Sequence, residues 1–233
     1  MSIPQKSASP VTSQRTAARS PRARLPGRPV GKEGALREAL IDAALQSFAS
    51  RGYAGSTLRD IARDARATPA MANYYFGGKQ GLLQAVVEQR VQALVMQMLQ
   101  AIDAAGDDPV AAIAAFMRTY TSLALRNPWV PRLVVREVLS ETGVLREAFA
   151  KRFAGSIAGL LGERIRQAQA RGLIDPALDP AKVILSLLSL CIFPIISSPV
   201  ISGVLGLRLD PDSAPDLAAH HLRVFLHGME PRP

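Results

Sequence analysis

Residues 56–83, STLRDIARDARATPAMANYYFGGKQGLL, decide the fold. Leu58, Ile61, Ala62 and Ala65 recur at helical spacing, so a short helix is predicted over 57–65. Ser56 and Thr57 are good cap residues for its start, and Asp60 stands three after Thr57 in capping-box register. Thr68-Pro69 then supplies a cap and the proline that suits a first helical turn, predicting a second helix over 68–75. Two short helices joined by a tight turn form a helix-turn-helix, whose second helix enters the DNA major groove.

Working outward, 33–51 places Leu36, Leu40, Ile41, Ala44, Leu45 and Phe48 on one helical face and stops at Gly52. The cap-plus-proline device recurs at Asp108-Pro109, Asn127-Pro128 and Asp179-Pro180. Helices are predicted over 78–105, 109–126, 128–141, 144–171, 180–205 and 213–228. No alternating strand pattern, Asn-Gly hairpin signal or internal repeat is visible. The predicted class is all-α.

The chain has 233 residues and a net charge of +9, enough length for a large core. Residues 1–32 carry seven basic residues (Lys6, Arg15, Arg19, Arg22, Arg24, Arg28, Lys32) and no acid; residues 33–90 carry seven basic against six acidic. Nearly all the excess charge therefore belongs to the amino-terminal segment. That segment is rich in Pro, Ser and Arg, poor in large apolar residues, and predicted to be disordered. It has no apolar stretch of a secretory signal, and its five prolines spoil the amphipathic helix of a transit peptide. An arm that touches DNA phosphates and a passive leader both fit it. The single cysteine, Cys191, lies in an apolar run and reads as a small buried hydrophobe, in keeping with a cytoplasmic protein.

Residues 183–207 contain no charge and on length are a candidate membrane span. Pro194, Pro199, five serines and two glycines argue instead for a kinked, buried helix at a subunit interface. His220, His221 and His227 all lie in the last helix without metal-ligand spacing. No phosphate-cradling glycine loop or nucleophile elbow is present. Neither an enzyme, a cofactor nor a metal site is expected.

From about 37 to 87 the chain resembles the TetR family of bacterial transcriptional regulators. Ile41-Asp42-Ala43-Ala44, Phe48, Gly52-Tyr53, Thr57, Arg59-Asp60-Ile61-Ala62, Tyr74, Phe76, Lys79 and Leu82-Leu83 match its pattern in order. Asn73-Tyr74-Tyr75-Phe76 is similar to the branch with an Asn-Tyr-His-Phe recognition helix. Two positions depart from the pattern. Arg66 stands where the family has Gly in a left-handed turn, at a cost of about 1 kcal/mol. Gly78 stands where Ser, Thr or Asn caps the fourth helix, and is a serviceable cap.

Thr68, Ala70, Met71, Asn73, Tyr74 and Tyr75 lie on the predicted recognition helix. Asn73 is the best base reader, because an amide pairs with an adenine edge through two hydrogen bonds; a surface amide facing water or phosphate is the alternative. The resemblance implies that one of the two tyrosines packs while the other meets DNA, and that Phe76 is core. Lys79, at a helix start where the dipole also favours an anion, is expected to bind phosphate. Thr57 and Arg59 are expected to make backbone contacts. The resemblance further implies an amino-terminal DNA-binding domain over 33–80 and a helical ligand-binding and dimerisation domain over 81–233. Phe116, Tyr120, Trp129, Phe149 and Phe153 are candidate cavity residues, with ordinary core packing as their alternative. The expected partners are double-stranded operator DNA, a small apolar effector and a second copy of the chain, with 144–171 and 180–205 forming the dimer contact and no membrane involved. The expected function is a ligand-responsive regulator, by default a repressor; an architectural DNA-binding protein without effector is the rival.

Overall fold

The computed structural model describes residues 30–229, and every regular element among them is helical. The expectation of a disordered basic segment over 1–32 falls outside the described residues for 1–29, whereas 30–32 form the start of α1. Helix α1 spans Val30–Arg51, α2 Leu58–Asp64 and α3 Pro69–Phe76. Helix α4 runs from Lys79–Val86 through one π-turn, Val87–Val91, into Gln92–Ala104. Helix α5 spans Pro109–Arg126. Helix α6 joins Trp129–Leu133 to a π-turn, Val134–Leu139. Helix α7 comprises Arg146–Phe149, a π-turn at Ala150–Ala154, and Gly155–Ala170. Then follow α8 at Pro180–Ile196, α9 at Ser198–Leu205 and α10 at Ala214–His227.

The predicted face of α1 is the one that is buried: Leu40, Ile41, Ala44 and Phe48 are wholly inaccessible and Leu45 nearly so, with Leu36 packing at its edge. Each such large side chain contributes about 1.5–3 kcal/mol on burial. Their cluster continues through Leu82 and Val86 of α4 to Ile102, Phe116, Leu161 and Phe225. One hydrophobic core thus crosses the expected boundary near residue 80, and α4 carries it across. The Arg90 guanidinium clamps α4 to α1 by reaching Glu38 and Asp42, both at 2.8 Å.

Two of the three proline-linked caps form as expected. The Asp108 carboxylate accepts from the Val110 and Ala111 amides, and the Asp179 carboxylate from Ala181. Asn127 does not cap α6. Its side-chain amide donates back to the Leu123 carbonyl at 2.8 Å, so it closes α5 instead. The helix expected over 180–205 is also two helices, meeting at 81° around Ser197. The ring of Pro199, continued in helix, would clash with the carbonyl four residues earlier, so the chain turns there. The apolar run is not simply buried either: Leu185 and Phe193 on α8 and Val200 and Val204 on α9 are exposed by 60–77%. No single helix among the described residues is long and apolar enough to cross a membrane; the bent α8–α9 pair meets that test only by joint length and composition.

Candidate functional site

The helix-turn-helix is assembled by its caps. Thr57 is the N-cap of α2, its Oγ1 accepting from the Asp60 amide at 3.1 Å and donating to the Asp60 carboxylate at 2.6 Å. That bond first, then the charges of Arg63 and Arg51, holds the Asp60 carboxyl below its ordinary range. Ser56 is not a cap: it is buried, and its hydroxyl donates to the Gly52 carbonyl while lying 2.6 Å from the Ser47 hydroxyl. At the other end of α2, Arg66 has φ +54, the left-handed conformation anticipated for it. The Ala67 amide donates to the Ala62 carbonyl and the Arg66 amide to Arg63, which together close a Schellman turn.

Helix α3 begins at Thr68, whose Oγ1 accepts from the Met71 amide at 3.3 Å. Its sole fully buried side chain is Ala72. Ala70, Asn73 and Tyr74 are exposed and lie on one stripe of the helix, Tyr74 by 84%. Met71 and Tyr75 are half-buried beside that stripe, and Thr68 and Arg59 are exposed. The two tyrosine rings meet edge to face at 5.3 Å, Tyr74 projecting and Tyr75 half-buried. Phe76 is not deep core: it is half-buried under the Arg37 guanidinium, 5.4 Å from its ring centre.

Two glycines set the start of α4. Gly78 takes φ +118 and ψ −171, a conformation open to glycine and rarely to other residues, so it does more here than substitute for a polar cap. Gly81 permits contact between α4 and the end of α3, because a Cβ there would meet the Phe76 carbonyl oxygen at 1.8 Å. Lys79 folds inward. Its Nζ donates to the Tyr53 carbonyl at 2.8 Å and the Ser56 carbonyl at 3.0 Å, and lies 4.2 Å from the centre of the Tyr53 ring. This second role is not legible from local spacing, because the acceptors lie 23 and 26 residues away.

In the carboxy-terminal half a cavity of about 320 Å³ opens between α4, α5, α6, α7 and α8. Phe116, Tyr120, Trp129 and Phe149 line it; Phe153 does not. Phe153 lies buried behind Phe149 at 5.7 Å between ring centres and packs the core. The rest of the lining is aliphatic, chiefly Val, Leu and Ile, and includes no charged side chain. Burial, with a smaller effect from Cys191, pushes the Tyr120 phenol well above its ordinary range. Among the described residues Tyr120 makes no hydrogen bond through its hydroxyl. Burial also pushes the Cys191 thiol up to about 12, as befits a packed hydrophobe. Leu188, in the middle of the apolar run, lines this cavity. Among the described residues no group of three or more His, Cys, Asp or Glu is gathered to hold a metal ion.

Residues 40–86 match the family model described as bacterial regulatory proteins, tetR family, and residues 109–225 match the one described as tetracyclin repressor-like, C-terminal domain. The HTH-type transcriptional regulator BetI of Brucella melitensis biotype 2 is 28% identical over 152 residues, covering 64% of this chain and 77% of that protein. Among solved structures, HlyIIR, a hemolysin II transcriptional regulator, superposes with a TM-score of 0.63 at 23% identity, over 81% of this chain and 97% of that one. The fatty acid degradation regulator FadR from Bacillus halodurans superposes with a TM-score of 0.65 at 16% identity, over 84% and 97%. At these identities the two structures share the fold.

Proposed function

Since the chain belongs to the TetR family of DNA-binding transcriptional regulators, we propose that it is a homodimeric repressor released from an inverted-repeat operator by a small, neutral, apolar effector. The single observation that carries the effector is the cavity beneath α4. Its 320 Å³ falls at the lower end of small-molecule pockets, roughly 300–1,000 Å³. Without a charged group on its wall, it favours a ligand without one, since an unpaired ion brought into such a site loses its hydration. The phenol of Tyr120 is the natural partner for one polar atom of that ligand. The FadR likeness is one of fold; this lining offers no cation for a carboxylate.

Residues 33–80 act as the DNA-binding domain and 81–233 as the effector and dimer domain. Asn73 and Tyr74 read the major groove together with Ala70, flanked by Met71 and Tyr75, in the manner of the Asn-Tyr-His-Phe branch. Thr57, Arg59, Thr68 and Lys79 face the phosphates, Lys79 with the N–H left after its two carbonyl bonds. Dimerisation joins the outer faces of α7 and α8, which is supported by the exposed Leu185 and Phe193 on α8. A two-fold dimer places two α3 helices in successive major grooves, hence the inverted repeat. The protein works in the cytoplasm.

The deciding experiment is selection of duplexes from random DNA by the purified protein. An inverted repeat is expected, with Asn73→Ala relaxing one base position per half-site at a cost of ~1–3 kcal/mol. Uniform loss across all sequences would remove the base-reading role of Asn73. Enrichment of no motif, with a steep salt slope, would favour the architectural protein.

A further inference from the structure

Glu137 is an unusual residue in this fold. It sits in the π-turn of α6, is 5% exposed, and no Lys or Arg among the described residues lies within ion-pair distance of its carboxylate. A buried carboxylate without a counter-ion is a poor way to gain stability. Its oxygens are instead shared between two backbone segments. Oε1 accepts from the Tyr53 amide at 2.7 Å, across 84 residues of sequence; Oε2 accepts from the Val144 amide at 3.3 Å. The Glu137 carbonyl also accepts from the Leu145 amide at 2.9 Å.

What lies on each side gives these bonds their meaning. Val134, Val138 and Leu139, its neighbours on α6, line the cavity, and so does Leu145 just beyond the loop that Glu137 holds. On the other side, Tyr53 follows α1, and its carbonyl and ring both hold the Lys79 ammonium. Lys79 is the first residue of α4 and is bonded as well to Ser56, next to the cap of α2. A π-turn carries one residue more than the α-helical turn it replaces, and such turns are frequent at functional sites.

We propose that Glu137 is the coupling residue through which occupation of the cavity reaches the helix-turn-helix. A ligand that displaces the α6 wall moves the Glu137 carboxylate, withdraws the acceptor from the Tyr53 amide, and shifts Tyr53 with the Lys79 that it anchors. The start of α4 and the entry to α2 then move together. This inference rests on the effector-release function proposed above.

The test needs no knowledge of the effector. Ala154 lines the cavity, so Ala154→Phe fills part of it from within the chain. Glu137→Gln keeps the size and one acceptor oxygen but replaces the other with an amide that cannot accept from an N–H. Affinity for a duplex selected by the native protein is measured for the native chain, both single variants and the double variant. Ala154→Phe is expected to weaken binding about tenfold in the native background, within the usual range of coupling between sites, and less than about twofold beside Glu137→Gln. Equal factors in the two backgrounds would overturn the role of Glu137 and leave effector release standing. No effect of Ala154→Phe in the native background would overturn effector release, and the coupling with it. Should Glu137→Gln fail to fold, amide hydrogen exchange at Tyr53 answers in its place. Ala154→Phe should speed it about tenfold, and an unchanged rate overturns the proposal.

Discussion

On α3, Ala70, Asn73 and Tyr74 stand in the open along eight residues of helix, held by a cap at each end. In the cavity, Phe116 and Tyr120 from α5 meet Trp129 from α6 and Phe149 from α7, with walls from α4 and α8 besides. The first surface contributes almost nothing to the core; its one buried side chain is Ala72. The second is an unfilled part of the core itself. Side chains on α3 are therefore free to be chosen for what they touch outside the protein. Those around the cavity must satisfy packing first, and they shape only the space they leave.

The contrast is sharpest under a new charge. Leu188→Glu places a carboxylate against the apolar wall and should destabilise the fold by about 3–5 kcal/mol, read as a shift of the urea midpoint. Tyr74→Glu should leave that midpoint within about 0.5 kcal/mol and still abolish operator binding. A Leu188→Glu chain as stable as the native one would mean that the apolar wall accepts a carboxylate in water and is not part of the packed core.

Lys79 belongs to both regions, so it tests whether they are separable. Lys79→Ala removes two charge-assisted bonds to carbonyls and the contact with the Tyr53 ring. It should lower stability by about 2 kcal/mol and also weaken DNA of every sequence alike. If only DNA binding falls, Lys79 is a phosphate ligand and its bonds inside the fold carry no weight.

A smaller effect is expected at the turn between α2 and α3. Arg66→Gly relieves the left-handed strain at φ +54 but leaves the unfolded chain freer, for a net gain of at most about 0.5 kcal/mol in thermal unfolding. Operator affinity should not change, since the Schellman bonds are made by backbone atoms.

The smallest effect belongs to pH. His221 on α10 is buried, and burial, helped by neighbouring His220, lowers its pKa from the ordinary 6.5. The folded state therefore disfavours the proton that the unfolded chain takes up. The contribution of neutral His221 is complete above about pH 6.5 and is lost as pH falls from there through the lower folded value. His221→Phe should flatten this part of the stability profile between about pH 5 and 7, measured by melting temperature.

Much of the DNA-facing half was legible in the sequence, because its signals are local. Thr57, Thr68 and Pro69 act on the amides one to three residues ahead, and the period of Leu58, Ile61 and Ala62 marks the buried side of α2. The left-handed turn at Arg66 was legible only through the family resemblance, which has Gly at that place. Short-range rules failed where a residue had two possible neighbours. Asn127-Pro128 carries the pattern of a helix start, yet Asn127 binds backward to Leu123. Phe149 and Phe153 are four apart on one helix, and nothing in that spacing says which faces the cavity.

The sequence by itself determined the all-helical class, the helix-turn-helix with its two caps, and the family to which the chain belongs. Tertiary structure alone decided that Lys79 turns inward to Tyr53, that Gly81 lets α4 touch the end of α3, that the chain bends by 81° near Ser197, and that Glu137 holds Tyr53 from 84 residues away. The physical reason is range. A cap or an apolar period concerns atoms within one or two turns of the same helix, so residue types along the chain disclose it. A cavity wall or a carboxylate shared between two segments depends on which helices come to lie side by side, and that is settled by the packing of the whole core.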